Sequence, residues 1–312
     1  MNGDDIDPQV REFVRRVNAG YMDVLGEGTF DLPQRRAAAE VVRAPWREGG
    51  PQMVSSEERR VGPSNVRVRI HRPVQDPQLP ALVYLHGGGW TTFSLDTHDR
   101  LMREYAGRAG CAVVGVDYSL SPEARFPTAL DETAEVLAWL ASDGREAGLD
   151  PDRLAIGGDS AGANLSLSSM IRARDRGEPL VRAILLSYGA FDEEQRESHA
   201  RFSHEAYMLD PAEMDAFWRN YRGEDGSPDP LARPLLAELA GLPPTFLCIA
   251  ECDILSDENR EMARRLEAAG VDVTAKVYSG ATHSFLEAVS ISDLADRALG
   301  DASAWLKGIL AQ

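Results

Sequence analysis

One serine in this chain stands in a setting that can turn a hydroxyl into a nucleophile. Ser160 is the centre of Gly-Asp-Ser-Ala-Gly at residues 158–162. The apolar run at 153–157 predicts a buried strand before it, and residues 163–174 have helical spacing after it. A sharp strand-to-helix turn exposes such a serine, and glycines flank it because larger side chains would collide with neighbouring backbone. The five-residue pattern alone arises by chance in about one chain of this length in ten, so other residues must decide its meaning.

A serine hydroxyl needs a base to accept its proton, and the chain offers six histidines. His283 follows the alternating apolar run at 271–277 and lies in a loop that Gly280 opens. The carboxyl ends of parallel strands share one edge of a sheet, and a serine turn lies on that same edge. We therefore expect His283 to reach Ser160 although the two are far apart in sequence.

The histidine in turn needs a carboxylate that fixes its tautomer and stabilises its cation. Asp253 directly follows the strand predicted at 245–250 and is the best candidate. Glu251 is nearer the strand and is its main competitor, whereas Asp257 and Glu258 stand where a helix should begin and favour its N-terminus. The chain order of serine, aspartate and histidine is that of the α/β-hydrolase fold.

A glycine-rich loop supplies candidate donors for a negative oxygen. Residues 85–90, Leu-His-Gly-Gly-Gly-Trp, directly follow an apolar run at 81–85. Consecutive glycines let backbone N–H groups approach a ligand closely, as stabilisation of a tetrahedral oxyanion requires. The amide of Ala161, just after the serine, is a further predicted donor. A phosphate-binding loop is excluded because no Lys-Ser or Lys-Thr follows and the spacing Gly-x-Gly-x-x-Gly is missing.

The elements that must position these residues alternate between strand and helix. Continuous apolar runs, typical of strands covered on both faces, occur at 81–85, 112–116, 153–157, 183–186 and 245–250. Amphipathic helical stretches separate them, which predicts an α/β fold with a mostly parallel central sheet flanked by helices. The helical residues before position 48 could not form a core alone, so we expect them to lie over something larger.

Net charge and composition exclude some classes of partner and predict the compartment in which the protein is found. The net charge of −17 among 312 residues argues against nucleic acid or an anionic membrane surface. Cys111 and Cys248 lie in apolar runs, which indicates free buried thiols rather than disulfides or metal ligands. No signal peptide and no apolar run of membrane-spanning length is visible. We therefore expect a cytoplasmic protein without stable membrane association.

In combination, these motifs resemble those of the microbial hormone-sensitive-lipase-like esterases of the Gly-Asp-Ser-Ala-Gly type. The resemblance covers residues 60–310 and is specific because several motifs match at once. The matching stretches are His-Gly-Gly-Gly-Trp at 86–90, Asp-Tyr-Ser-Leu-Ser-Pro-Glu at 117–123 with Phe-Pro at 126–127, Gly-Asp-Ser-Ala-Gly at 158–162, Asp-Ile-Leu-Ser-Asp-Glu at 253–258 and Gly-Ala-Thr-His-Ser-Phe at 280–285.

The resemblance implies an α/β-hydrolase fold with a helical cap and a serine carboxylesterase activity. Residues 1–48 would form an N-terminal helical cap segment and 49–312 the catalytic domain, with 190–225 as a candidate second cap segment. The implied site residues are the catalytic Ser160, Asp253 and His283, the oxyanion donors Gly88, Gly89 and Ala161, and the loop-supporting His86 and Gly87. Asp159 would be structural.

Members of this family act on small carboxylic esters with short to medium acyl chains and need no cofactor. They often pair through the last strand, and residues 271–277 offer such an edge, so a homodimer stays open. The chain departs from the family at Ser119 and Ser121, which replace Arg and Ala, and at Ile254, which replaces Pro. Tyr188 stands near where the family often has Pro. These departures leave the triad intact, but they predict a substrate pocket that differs from the one usual in the family.

Two alternative functions stay open. The same residues could cleave an amide, a lactone or an acetyl group, because the sequence does not distinguish leaving groups. The chain could instead be a ligand-binding relative that has lost catalysis, which the presence of all three triad residues disfavours.

Overall fold

The computed structural model describes residues 5–223, 226 and 228–311. Within these residues the chain forms nine α-helices around an eight-stranded sheet. The strands are β1 (Ser55–Val61), β2 (Val66–Arg72), β3 (Leu79–Leu85), β4 (Ala112–Asp117), β5 (Leu149–Asp159), β6 (Ala183–Ser187), β7 (Thr245–Cys252) and β8 (Val273–Thr282). The helices are α1 (Pro8–Leu25), α2 (Leu32–Arg43), α3 (Asp99–Ala109), α4 (Thr128–Asp143), α5 (Ala161–Asp175), α6 (Glu197–Arg201), α7 (Pro211–Arg222), α8 (Ser256–Ala268) and α9 (Asp293–Leu310).

Parts of the predicted segments fall outside this description. They are residues 1–4 of the predicted segment 1–48, residues 224–225 of the predicted segment 190–225, and residues 227 and 312 of the predicted catalytic domain.

The sheet runs in the order β1-β2-β4-β3-β5-β6-β7-β8. β2 is antiparallel to both β1 and β4, and every later pairing from β4 to β8 is parallel. β6 is buried along its whole length because helices cover both faces of the central sheet. The predicted α/β-hydrolase fold with a mostly parallel sheet flanked by helices is confirmed.

Two strands differ from the sequence prediction. No pattern in the sequence predicted β1, Ser-Ser-Glu-Glu-Arg-Arg-Val, because this exposed edge strand shows no apolar alternation and is held by charge pairs such as Glu58 with Arg67. The strand predicted at 271–277 instead begins at Val273 and continues to Thr282. Its pairing with β7 resumes past an irregularity, so Gly280 lies inside β8 and His283 follows the strand directly.

The two N-terminal helices pack onto the body of the protein, as predicted. The face of α1 that carries Val10, Phe13 and Val17 is buried in the main hydrophobic core. α2 begins at a capping box in which Asp31 and Gln34 satisfy each other's backbone amides. These helices therefore complete an existing core instead of forming one of their own.

The cysteine prediction is also confirmed. Cys111, Cys248 and Cys252 are all free and buried. Burial raises the pKa of the Cys111 thiol to about 12, because a thiolate is poorly solvated there. Among the described helices, none combines the length and the apolar character that crossing a membrane requires.

Candidate active site

Ser160 sits on a strained turn between β5, which ends at Asp159, and α5, which begins at Ala161. Its φ of 53° and ψ of −117° lie where residues other than glycine are rarely found. A Cβ atom on Gly158 would fall 2.1 Å from the Leu85 carbonyl oxygen, and one on Gly162 only 1.8 Å from it. The prediction that side chains at the flanking positions would collide with neighbouring backbone is therefore confirmed.

Three side chains from different strand ends meet above this turn. His283, directly after β8, places Nε2 3.0 Å from the Ser160 hydroxyl oxygen. Its Nδ1 lies 2.7 Å from a carboxylate oxygen of Asp253, which directly follows β7. The other oxygen of Asp253 accepts the Leu255 amide at 3.0 Å, which fixes the carboxylate. All three side chains are buried, so the hydrogen bonds are shielded from water.

The competing carboxylates have other partners. Glu251 accepts the amide of Gly280, Asp257 that of Ser198, and Glu258 that of Phe191. Within the part of the chain that the structure describes, none of the three is bonded to His283. Nor do three or more histidine, cysteine, aspartate or glutamate side chains cluster there in a way that could hold a metal ion.

The electrostatics of His283 suit a base paired with a carboxylate. Burial acts to lower the pKa of His283, because the imidazolium is costly to desolvate. The charge and the hydrogen bond of Asp253 outweigh this and raise the pKa above its ordinary value of 6.5. The neutral imidazole, which can accept a proton from the serine, is therefore lost as the pH falls through that raised pKa.

Backbone amides surround the space beside the Ser160 hydroxyl. Gly88 and Gly89 follow β3 with φ values of 105° and 59°, which glycine adopts without strain. No hydrogen bond from either amide is found within the described residues. Ala161 is the first residue of α5, where N–H groups lack intrahelical partners. The loop and the helix start therefore offer donors that a developing oxyanion can accept.

A buried network that the sequence did not reveal ties this loop to the serine turn. Asp159 accepts the Tyr84 hydroxyl at 2.7 Å and the Gly87 amide at 3.1 Å, and His98 Nε2 lies 3.4 Å away. Burial acts to raise the pKa of Asp159, but His98 and Tyr84 stabilise the carboxylate and lower it. Tyr84 and His98 belong to no motif, so only the fold identifies them.

His86 is placed to shape the glycine loop. Its Nδ1 donates to the Gly87 carbonyl at 2.7 Å, and its ring stacks on Tyr118 at a centroid distance of 4.4 Å. The Tyr118 hydroxyl also donates to the His86 carbonyl. Burial lowers the pKa of His86 to about 3, so this imidazole stays neutral near pH 7.

A cavity of about 300 Å³ opens above Ser160 and His283. Both segments that the sequence set apart contribute to its walls. The lining residues from these segments are Asn18, Tyr21, Leu25, Arg35, Ala39, Arg43, Met208, Leu209, Glu213, Met214 and Phe217. The spacing 35, 39, 43 is one stripe of α2, and 18, 21, 25 is one stripe of α1. Helical spacing could have grouped these residues on one side of each helix, but it could not have indicated that this side lines the cavity.

Aromatic side chains close the site on two sides. The ring of Phe217 lies against the glycine loop at residues 87–89, since a Cβ atom on Gly89 would fall 2.1 Å from it. Tyr188 meets the His283 ring edge to face at 5.1 Å. Tyr188, which stands near a position where the resembling family often has proline, therefore places a large ring beside the imidazole of His283.

Comparisons with known proteins agree with this arrangement. A family model described as the alpha/beta hydrolase fold matches residues 82–287. An acetyl esterase of Salmonella agona is 35% identical over 276 residues, covering 87% of this chain and 85% of that protein. An ethyl acetate hydrolase of Pseudomonas putida is 38% identical over 240 residues, covering 74% of this chain and 75% of that protein. The structure of a hyperthermophilic esterase from the archaeon Pyrobaculum calidifontis superposes with a TM-score of 0.90 at 30% identity, covering 98% of this chain and 99% of that one. The chain therefore belongs to the α/β-hydrolase family, in its hormone-sensitive-lipase-like esterase group.

Proposed function

We propose that this protein is a serine carboxylesterase that hydrolyses small carboxylic esters with short to medium acyl chains. The observation that carries the proposal is the continuous hydrogen-bonded chain from Ser160 through His283 to Asp253 at the floor of a cavity. That geometry supports a nucleophile, a general base and an orienting acid in these three roles.

In the first half of the reaction, His283 Nε2 takes the proton of the Ser160 hydroxyl as its oxygen attacks the ester carbonyl carbon. Asp253 stabilises the resulting imidazolium and holds the ring in the required tautomer. The carbonyl oxygen becomes negative and accepts hydrogen bonds from the amides of Gly88, Gly89 and Ala161. One such donor typically contributes about 3 kcal/mol to transition-state stabilisation.

The intermediate then collapses and the alcohol leaves with the proton from His283. Water attacks the acyl group on Ser160, and His283 takes a proton from that water. The second tetrahedral intermediate uses the same amides and releases the carboxylic acid, and the serine regains its proton. Each half of the reaction thus returns His283 to its neutral state.

The supporting residues act on the loop rather than on the substrate in this proposal. Asp159 holds Gly87 close to the serine turn, and His86 braces the same loop through Tyr118. The described residues of the segments 1–48 and 190–225 serve as the cap that bounds the cavity in this proposal. The acetyl and ethyl acetate activities for which two relatives are named support a small acyl group.

A homodimer and a cytoplasmic location stay predictions. β8 forms one edge of the sheet, and Val277 on this strand is exposed. Pairing of two copies along β8 would cover that edge. Sedimentation analysis of the full chain at several concentrations tests the pairing.

Replacement of the nucleophile tests the function. Ser160→Ala should lower the turnover of p-nitrophenyl acetate and butyrate by at least about a thousandfold while the fold persists. Ser142→Ala, at an exposed position of α4, is the matched control and should keep wild-type rates. A fluorophosphonate should label the wild-type protein at Ser160. Undiminished turnover by Ser160→Ala, or labelling at another residue, would refute the assignment, and a panel of amides and lactones measures the alternatives.

A further inference from the structure

The helices α1, α2 and α7 form the side of the cavity opposite Ser160, which we call the roof. This roof is polar on one side and apolar on the other. α7 contributes Met214 and Phe217, whereas α2 contributes Arg35 and Arg43 on either side of the small Ala39. Hydrocarbon acyl or alcohol groups need no guanidinium in their pocket, and burying a charged group is costly unless it has partners. The polar side of the roof therefore calls for an explanation beyond binding an aliphatic ester.

Arg43 is held firmly in this wall. It is only 3% exposed, and its Nη1 donates to Glu287 at 2.8 Å. The guanidinium carbon lies 5.0 Å from the centre of the Phe93 ring and 5.7 Å from that of Phe13. A cation fixed on three sides in this way loses little conformational freedom when it binds a ligand.

The same side chain retains unused hydrogen-bonding capacity. Its buried Nε has no hydrogen-bond partner within the described residues. Leaving a buried donor of a charged group unpaired costs free energy, because water can no longer satisfy it. The Tyr21 hydroxyl, which also lines the cavity, interacts with this guanidinium and adds a second polar group beside it.

The charges of the wall favour an acceptor over a cation. Arg35 and Glu213 pair with each other at 3.1 Å, and both line the cavity. Glu287, the partner of Arg43, is buried and is not among the lining residues. Each guanidinium thus has one carboxylate partner, but the partner of Arg43 is not a lining residue, so guanidinium groups outnumber carboxylates among the groups that line the cavity.

We propose that Arg43 is a specificity-determining residue, and that the preferred substrates are esters with a second acceptor oxygen, such as a keto, ether or carboxylate oxygen, away from the scissile bond. This inference rests on the proposed esterase function and narrows its substrate class. An ester with only hydrocarbon groups leaves the buried Nε of Arg43 without a hydrogen-bond partner, whereas Arg35 keeps its pairing with Glu213. A site built to hydrogen-bond its substrate discriminates strongly against such an analogue.

Two matched ester pairs test the proposal and distinguish the two sides of the ester. On the acyl side, p-nitrophenyl 5-oxohexanoate is compared with the hexanoate. On the alcohol side, 2-methoxyethyl acetate is compared with butyl acetate. Each kcat/KM is divided by the rate of hydroxide-catalysed hydrolysis, which removes differences in intrinsic reactivity. The wild-type enzyme should favour the oxygenated member of at least one pair by about tenfold or more, and a lack of preference in both pairs overturns the proposal.

A double variant then assigns the preference to Arg43. Arg43→Met with Glu287→Gln removes both charges together, so no buried carboxylate is left without a partner. The oxygenated-to-hydrocarbon ratio should fall toward one, by about the tenfold factor that Arg43 supplies. The matched control is Arg36→Met on the same helix. Arg36 does not line the cavity but anchors α2 to the carbonyl groups of Thr91 and Ser121, so its loss should lower both rates alike and keep the ratio.

The outcomes separate this inference from the proposed function. If the wild type hydrolyses none of the four esters, or if Ser160→Ala hydrolyses them equally well, the esterase function itself fails. If turnover depends on Ser160 but the double variant keeps the wild-type ratio, or Arg36→Met loses it as fully, only the role of Arg43 is overturned. Circular dichroism reports whether the double variant folds, and the wild-type ratios still decide the substrate class if it does not.

Discussion

Two regions of this protein meet at the cavity, and they are built in different ways. The floor is the carboxyl edge of the sheet, where Ser160, Asp253 and His283 each follow a strand directly. The roof consists of α1, α2 and α7, which are joined to the floor by side chains such as Arg36 and Arg43. Strand ends position the floor residues, whereas the roof is held by the packing of α1 in the core and by side-chain hydrogen bonds. Under the proposed function, the floor carries out the reaction and the roof selects the substrate.

The floor tolerates almost no change of shape. Backbone atoms lie so close to Gly158 and Gly162 that a single methyl group would force the chain apart. The Asp159 carboxylate, which links the serine turn to the glycine loop at residues 87–89, is buried with its partners. Substitutions in this region should therefore lower kcat or stability by large factors.

The largest expected effect in the floor comes from replacing Asp253, the proposed orienting acid. Asp253→Asn should lower kcat by about 10⁴, because an amide no longer stabilises the imidazolium and can favour the wrong tautomer. It also removes the main influence that raises the pKa of His283, so the acid limb of the pH profile should move to lower pH. Stopped-flow or steady-state assays of p-nitrophenyl butyrate hydrolysis across pH measure both effects.

The matched control for this change is Glu251→Gln, the carboxylate that competes with Asp253 in the sequence. Glu251 hydrogen-bonds the Gly280 amide and not His283, so its loss should leave kcat within a few-fold of wild type. If Glu251→Gln instead lost activity as fully as Asp253→Asn, the floor would be arranged differently from the hydrogen bonds described above.

The next largest effect concerns the link between the serine turn and the glycine loop at residues 87–89. Asp159→Asn should lower the free energy of unfolding by about 3 kcal/mol, because it replaces the buried carboxylate that accepts hydrogen bonds from Tyr84 and Gly87 and lies beside His98. It should also lower kcat, since Gly87 is held less firmly. Urea denaturation and esterase assays measure these two quantities.

Asp131→Asn provides the comparison for this prediction. Asp131 also pairs with a buried partner, Arg172, but its own side chain is 60% exposed. Water can replace much of that interaction, so Asp131→Asn should lower the free energy of unfolding by no more than about 1 kcal/mol. If the two variants lost the same free energy of unfolding, burial of the network around Asp159 would add nothing to stability.

The contrast between floor and roof also explains what the sequence could predict. Glycine spacing around Ser160 reflects local steric requirements, and strand ends share one edge, so short motifs were enough to bring three distant residues together in the prediction. β1 was missed because its charged residues show no apolar alternation. Arg43 and Glu287 were missed because their pairing spans 244 positions and follows no local pattern. The same holds for His98, whose partner Asp159 is fixed only by the folded sheet.

The smallest predicted effect connects the two regions electrostatically. Glu213, on α7, is among the groups that raise the pKa of His283, although Asp253 contributes more. Glu213→Gln removes a negative charge from the roof and leaves Arg35 without its partner, and both changes make the imidazolium less favourable. The pKa of His283 should therefore fall, and the acid limb of kcat/KM should move to lower pH.

The direction of that shift follows from the state that the reaction needs. In the proposed mechanism the reaction requires neutral His283, so kcat/KM should be full above the pKa of His283 and should fall as the pH drops through it. A lower pKa keeps the base neutral at more acidic pH, and the variant should retain more of its maximal activity there than the wild type. Glu12→Gln, which removes a carboxylate from the outer surface of α1, should leave the midpoint unchanged. A midpoint that stays in place in Glu213→Gln, or moves to higher pH, would show that the roof selects substrates without influencing the base beneath it.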